Sequence, residues 1–299
     1  MRIYEAHNNP FETIMVDITH RCNMECANCY LPNRDIPDMD VNKLYETLSQ
    51  LPNRTFIRLI GAEPTMREDL FDIIKNIKGL GHHVSLTTNG LKLAHEPYVK
   101  RLKEAGLRLV LLSMNGADDD TVYQILDEGK WATAKVRALE NILKNNMIMN
   151  TGTIIAKGVN EHTMKQQVNL FVGLAKKHNY KFKIKPILRF RSVGHLGRFM
   201  ENTSMNYEEF ITLASNELGV SVEHIKNSSI RANVDVKNNT FGYIFPLQTE
   251  IGEILIRLVD WESDEYNSPD PDSISRGRIT QDFKIAPFFD HVKENEFGY

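Results

Sequence analysis

Six short runs rich in Val, Ile, Leu and Thr occur at residues 13–19, 55–60, 83–88, 108–113, 149–156 and 181–188. Stretches of helical periodicity separate them, at 42–51, 69–78, 96–105, 133–145 and 161–178. Strands reached only through a helix pair in parallel, with right-handed crossovers, and buried parallel strands carry such near-continuous apolar runs. The expected class is therefore α/β. Six units rather than eight imply a partial (β/α)6 TIM-like barrel, open on one side. After about residue 200 the pattern changes. Residues 203–218 read as a capped helix, and 230–237, 241–247 and 253–260 as an antiparallel hairpin with a third strand. Residues 279–289 read as a mixed apolar end piece. The expected organisation is a barrel core at 1–200 and a small C-terminal α+β appendage at 201–299, covering the barrel and its substrate site.

The chain has three cysteines, all inside one loop: Cys22-Asn-Met-Glu-Cys26-Ala-Asn-Cys29. Thiolates three and four residues apart can turn inward on one soft metal centre. A disulfide framework is disfavoured by the odd count and by the lack of cysteine elsewhere. Two metal readings remain. One is structural zinc held as Cys3His, with His20 or a distant histidine as fourth ligand. The other, placed first, is an iron–sulfur cluster with one open position, the mark of a centre that does chemistry.

Composition narrows the setting. Apolar residues make up 41% of the chain and charged residues 25%, with a net charge of −3. Such a chain has no global field for nucleic acid or an anionic membrane. The N-terminal residues lack an apolar signal core, and no window has the apolar length of a transmembrane helix. A cytoplasmic enzyme is expected, with neither nucleic acid nor membrane as partner.

Residues that follow parallel strands collect on one face of a barrel, where ligand sites form. After the first strand comes the cysteine loop, and after the second Gly61-Ala62-Glu63-Pro-Thr65. Thr87-Thr88-Asn89-Gly90 follows the third, Ser113-Met-Asn115-Gly116 the fourth, and Gly158-Val-Asn160 the fifth. Over roughly residues 10–200 this order resembles the radical S-adenosylmethionine (radical SAM) superfamily. The resemblance implies that Cys22, Cys26 and Cys29 ligate a [4Fe–4S] cluster whose fourth iron is chelated by S-adenosylmethionine. It implies that Gly61, Ala62 and Glu63 stand for the family's Gly-Gly-Glu motif, with Glu63 near the cofactor's ammonium. Thr88, Asn89, Ser113 and Asn115 are then further cofactor contacts, and Ile154 and Ile155 an adenine-side wall, though plain barrel core is the competing reading for the isoleucines. Two positions depart from the pattern. Asn28 precedes the third cysteine where the family usually has an aromatic, and Ala62 replaces a glycine, which requires a negative φ there.

Lys181, Lys183 and Lys185 alternate with Phe182 and Ile184, as on one face of an edge strand protected by lysines. Arg189 and Arg191 are expected after that strand, Arg189 for the cofactor carboxylate and Arg191 or Arg198 for an anionic substrate group. Trp261, in an acidic and aromatic run, and Arg276-Gly-Arg278 are candidate pocket residues. The resemblance also implies an external one-electron reductant of flavodoxin or ferredoxin type, and a 5′-deoxyadenosyl radical that removes hydrogen from substrate. With all three thiols assigned, no cysteine remains for an auxiliary cluster or for quenching a radical. Tyr243, Tyr266 and Tyr299 are then candidate hydrogen donors. The expected substrate is a small polar metabolite, anionic, carbohydrate-like or nucleotide-like. Maturation of a ribosomally made peptide is the second reading, and a non-catalytic iron–sulfur or zinc protein the third.

Overall fold

A computed structural model describes residues 3–27, 29, 31, 34–193, 203, 205–235, 240–259 and 276–288. Its strands are β1 (Thr13–Asp17), β2 (Phe56–Ile60), β3 (His83–Thr88), β4 (Leu109–Ser113), β5 (Ile148–Ile155), β6 (Ile187–Ser192), β7 (Arg231–Asp235), β8 (Thr240–Thr249), β9 (Gly252–Val259), β10 (Arg276–Ile279) and β11 (Ile285–Pro287). Helices α1 (Val41–Ser49), α2 (Leu70–Gly79), α3 (Glu96–Glu104), α4 (Asp120–Leu126), α5 (Ala132–Lys144) and α6 (Thr163–Lys177) lie between the first six strands. Helices α7 (Tyr207–Leu218) and α8 (Val222–Asn227) follow β6.

All eleven described strands join one sheet in the order β11-β10-β1-β2-β3-β4-β5-β6-β9-β8-β7. From β1 to β6 every neighbour pair is parallel, and the sheet does not close on itself. Side chains alternate across a strand, so two faces form. Ile14, Val16, Ile57, Leu59, Val110 and Leu112 are buried in the principal core, which also takes in the apolar stripes of α1, α2 and α5. The intervening residues Met15, Arg58, Thr87, Leu111, Gly152 and Arg189 face a cavity instead. Helix starts are locally encoded: Asp40 accepts from the backbone N–H groups of Asn42 and Lys43. Asn206 and Glu209 form a reciprocal capping box on α7.

The structure corrects the expected sixth strand. Residues 179–186 carry no strand, and β6 begins at Ile187, after Pro186. Lys181, Lys183 and Lys185 are exposed in the preceding connection, with Lys185 paired to Glu253. Regular alternation of burial starts only at Ile187, with Leu188, Phe190 and Ser192 buried. Nor is β6 an edge, because β9 pairs beside it in parallel from Ile187↔Leu255 to Arg191↔Val259. Arg189 and Arg191 consequently lie within the strand rather than beyond it.

The late strands extend the barrel sheet at both margins. β7, β8 and β9 are antiparallel, as expected, but β9 docks on β6, and β10 pairs in parallel with β1. Four residues of β10, and the short helices α4 and α8, are too brief to show a period in sequence.

Candidate functional site

A cavity of about 240 Å³ opens where β1 to β6 end, and Cys22, Cys26 and Cys29 all line it. The Cys29 sulfur accepts from the backbone N–H of Leu31 and from Arg34 Nη2, each at 3.4 Å. Asn89 Nδ2 stands 4.0 Å from the Cys22 sulfur. Burial raises the Cys26 thiol far above its ordinary value, helped by the nearby Asp127 charge. Donors aimed at sulfur suit thiolates that carry a cluster. Among the described residues, no three His, Cys, Asp or Glu side chains gather round a single ion. A cuboidal cluster places each thiolate on a different iron, whereas Cys3His zinc brings all ligands to one point. His20, the candidate fourth zinc ligand, lines a second cavity with Asp17 and Asp38, and none of the three cysteines lines that cavity.

The loop after β2 is pinned to the end of β1. Gly61 has φ +136°, and a Cβ there would stand 2.3 Å from the Thr19 carbonyl oxygen. The Ala62 N–H donates to Thr19 O at 3.0 Å and the Glu63 N–H to Arg21 O at 3.0 Å. Ala62 is absent from the positive-φ residues, so it meets the condition its sequence set. Gly61 and Ala62 line the cavity. Glu63 behaves differently: it is fully buried, and its carboxylate accepts four hydrogen bonds. Three reach Oε1, from Thr65 N, Thr65 Oγ1 and Thr88 Oγ1; the fourth, from Asn89 N, reaches Oε2. Its Oε1 is thus committed to the chain, and Thr88 and Asn89, which it holds, line the cavity.

Ser113 and Asn115 also line the cavity. Asn115 is held on both sides, accepting from Ile154 N at 3.0 Å and donating to Asp127 Oδ1 at 3.0 Å. Buried Asn160 donates to the carbonyls of Asn115 and Ile154 and accepts from Ala156 N, closing the β4–β5 end. Two residues that the sequence reading passed over complete this wall. Lys135 reaches from α5 to donate to Ser113 O at 2.9 Å. Asp127 Oδ2 is buried without a nitrogen or oxygen donor among the described residues. A buried carboxylate oxygen facing the cavity beside Cys26 fits the ammonium of an amino-acid-like cofactor.

The cavity also carries a cationic lining. Arg58, Arg189, Arg191 and Arg276 line the cavity together with Arg34. Burial, then the neighbouring Arg257, pushes Arg58 down to about 10, and Arg276 is depressed by burial and by Arg58, Arg257, Arg191 and Arg189. Arg189 lies against Gly152, where a Cβ would come 2.8 Å from Nη2.

Two expected site residues are elsewhere. Ile155 is buried in the apolar core, because its place on β5 turns it outward; Ile154, one residue earlier, lines the cavity. Tyr243 is buried on β8 in the same core and does not line the cavity. Tyr266, Tyr299, Arg198 and Trp261 lie outside the described residues. The missed residues did carry a signal. Arg58 is a charge at an inward position of an apolar strand, and Lys135 interrupts the apolar stripe of Ala132, Ala138, Leu139 and Ile142.

Comparison with known proteins agrees with this geometry. The sequence model of the Radical SAM superfamily matches residues 16–171. A 7,8-dihydro-6-hydroxymethylpterin dimethyltransferase from Methanocaldococcus jannaschii is 31% identical over 167 residues, covering 52% of this chain and 33% of that enzyme. A GTP 3′,8-cyclase from Petrotoga mobilis is 24% identical over 254 residues, covering 80% of this chain and 75% of the cyclase. The chain therefore spans about a third of the first relative and three quarters of the second. In fold it is similar to Streptococcus suis SuiB bound to S-adenosylmethionine, with TM-score 0.64 and 12% identity over 95% of this chain and 61% of SuiB.

Proposed function

This chain belongs to the radical SAM superfamily, whose members use a [4Fe–4S] cluster and S-adenosylmethionine, and we propose that it acts on a small anionic metabolite held in the barrel lumen. In this reading Cys22, Cys26 and Cys29 would hold the cluster. The backbone at Gly61 and Ala62, the pair Thr88 and Asn89, Ser113 and Arg189 would hold the cofactor. When bound, these groups supply reductive cleavage of S-adenosylmethionine to a hydrogen-abstracting 5′-deoxyadenosyl radical. The chain's own residues orient and enclose. Glu63 fixes the Thr88–Asn89 turn, Asn115 and Asn160 fix the β4–β5 end, and Arg191 with its neighbours draws an anion to the cofactor.

The observation that carries the substrate class is the cavity lining: besides Arg34 at Cys29 and Arg189 for the cofactor, it holds Arg58, Arg191 and Arg276, with Asp127 as the acid among the described lining residues. The C-terminal strands contribute to that wall through Arg276, in keeping with a role in covering the substrate. A flavodoxin- or ferredoxin-type protein would deliver the electron, in the reducing cytoplasm that suits a cluster. Among the described residues, no helix is long and apolar enough to cross a membrane. The SuiB likeness, at 12% identity, bears on the fold and not on a peptide substrate.

The test is anaerobic reconstitution with reductant and mass spectrometry for 5′-deoxyadenosine, in the presence of pools of phosphorylated and carboxylated metabolites. An anionic metabolite should be consumed in step with product, and Cys26→Ala should remove both bound iron and product. Turnover of a peptide in place of every anionic metabolite would overturn the substrate class, and wild-type product from Cys26→Ala would overturn the cluster assignment.

A further inference from the structure

Resting on the anionic-substrate reading above, we infer that the lumen seats an oligophosphate, two or more linked phosphoryl groups as in a nucleoside or sugar diphosphate, across Arg58 on β2, Arg257 on β9 and Arg276 on β10. Arg257 is the register partner of Arg189 on the adjacent parallel strand, so the two side chains leave the same face. Neighbouring strands are about 4.8 Å apart, and like charges placed side by side at that spacing are unfavourable. Arg58 and Arg276 line the same cavity from β2 and β10, the two strands on either side of β1. Arg58, Arg257, Arg191 and Arg189 all act on Arg276, and Arg257 acts on Arg58, so Arg58, Arg257 and Arg276 lie within one another's field.

The strand order makes this arrangement informative. β9 lies outside β6, and β10 lies outside β1, so Arg257 and Arg276 sit on opposite margins of the open barrel. A ligand touching both must bridge those margins. Each guanidinium has five N–H donors in a planar fork, so it can keep a protein partner and still present an edge to a ligand. One carboxylate matches one fork. A linked phosphoryl chain instead spreads acceptor oxygens over several strands, and a terminal phosphate carries about −1.5 to −2 charge at neutral pH. Two details support a built seat. Arg58 Nε is buried without a hydrogen-bond partner among the described residues, and the Arg276 guanidinium is set 5.4 Å over the Phe288 ring. Arg58 also precedes Gly61 along β2, deeper in the lumen than the cysteine loop. An anion seated there leaves the carbon skeleton of the ligand directed toward the cofactor end.

The reconstituted 299-residue protein is titrated calorimetrically with inorganic pyrophosphate, orthophosphate and acetate at constant ionic strength. Pyrophosphate should bind about tenfold or more tighter than orthophosphate, and acetate weakest. Arg257→Gln and Arg276→Gln should each weaken pyrophosphate about tenfold, since each removes one guanidinium fork from the seat. Pyrophosphate binding no tighter than orthophosphate, or unchanged in both variants, overturns the inference. If a variant does not fold, the wild-type ratio decides alone. A nucleoside diphosphate and a sugar diphosphate, titrated in parallel, identify which source binds tighter. Formation of 5′-deoxyadenosine is followed separately: its absence overturns the underlying function, and its presence without a pyrophosphate preference overturns the oligophosphate alone.

Discussion

Glu63 Oε2 accepts the backbone N–H of Asn89 at 2.6 Å, so the loop after β2 sets the position of the loop after β3. Asn89 in turn donates to Asn23 Oδ1 at 2.8 Å, which carries the connection into the cysteine loop. The carboxylate that the resemblance sets near the cofactor thus also fastens three loops in three dimensions.

Glu63→Gln keeps the volume but aims an amide N–H2 group at existing donors. Leaving a buried polar group unsatisfied costs about 1–3 kcal/mol, which urea unfolding should register. Affinity for S-adenosylmethionine should fall in the same variant, while iron content after reconstitution stays near wild type. Unchanged cofactor affinity would show that the Thr88–Asn89 turn does not need Glu63.

Gly61 and its neighbour should respond oppositely to a single methyl group. Gly61→Ala puts a Cβ 2.3 Å from a backbone oxygen at a left-handed φ. Strain of that kind costs on the order of 1–3 kcal/mol, plus the shift of β1 needed to relieve the clash. Ala62→Gly should cost no more than about 1 kcal/mol, an entropic loss. Thermal melts of the two proteins test the contrast.

Asp38 holds the end of β1 through Thr19 Oγ1, at 2.5 Å, and Arg21. Burial raises its pKa, but the hydrogen bonds from Arg21 and Thr19 together outweigh this and leave it below the ordinary value. A depressed carboxylate contributes stability that is present above its unfolded pKa of about 3.9 and lost as pH falls through the lower folded value. Asp38→Asn should therefore cost about 1–2 kcal/mol near neutrality. The difference from wild type should shrink below about pH 4. A gap independent of pH would contradict the assignment.

Asp17 on β1 and Arg278 on β10 form an ion pair at 2.8 Å with both side chains almost fully buried. Asp17→Asn should cost about 3–5 kcal/mol, because the guanidinium stays buried without its carboxylate. Replacing both, as Asp17→Leu with Arg278→Met, should recover most of that loss, since apolar pairs often substitute for buried ions. Urea unfolding of the single and double variants completes the comparison.

Much of this architecture was legible because strand and helix periods are local. Five of the six expected strands lie where Val, Ile and Leu cluster, and the cysteine loop, Gly61 and Asn115 fall at strand ends because parallel topology puts them there. The sixth strand misled: Lys181, Lys183 and Lys185 alternate by sequence, yet no strand backbone accompanies them. Arg58, Arg257 and Arg276 were illegible as a group, since they are distant in sequence and meet only once β9 and β10 dock. Ile154 and Ile155 show the finest limit. Which of two adjacent isoleucines faces the lumen depends on register, and a run of apolar residues does not encode it.

The pairing of residue 13 with residue 276 has a consequence for how the protein forms. Joining chain positions so far apart is entropically slow, so β1 waits with an unprotected margin while the intervening helices and strands condense. An exposed strand margin is a nucleus for aggregation, and here the residues that shield it also bring Arg276. Loss of the last strands would accordingly uncover that margin and take Arg276 out of the cavity wall together, in one lesion.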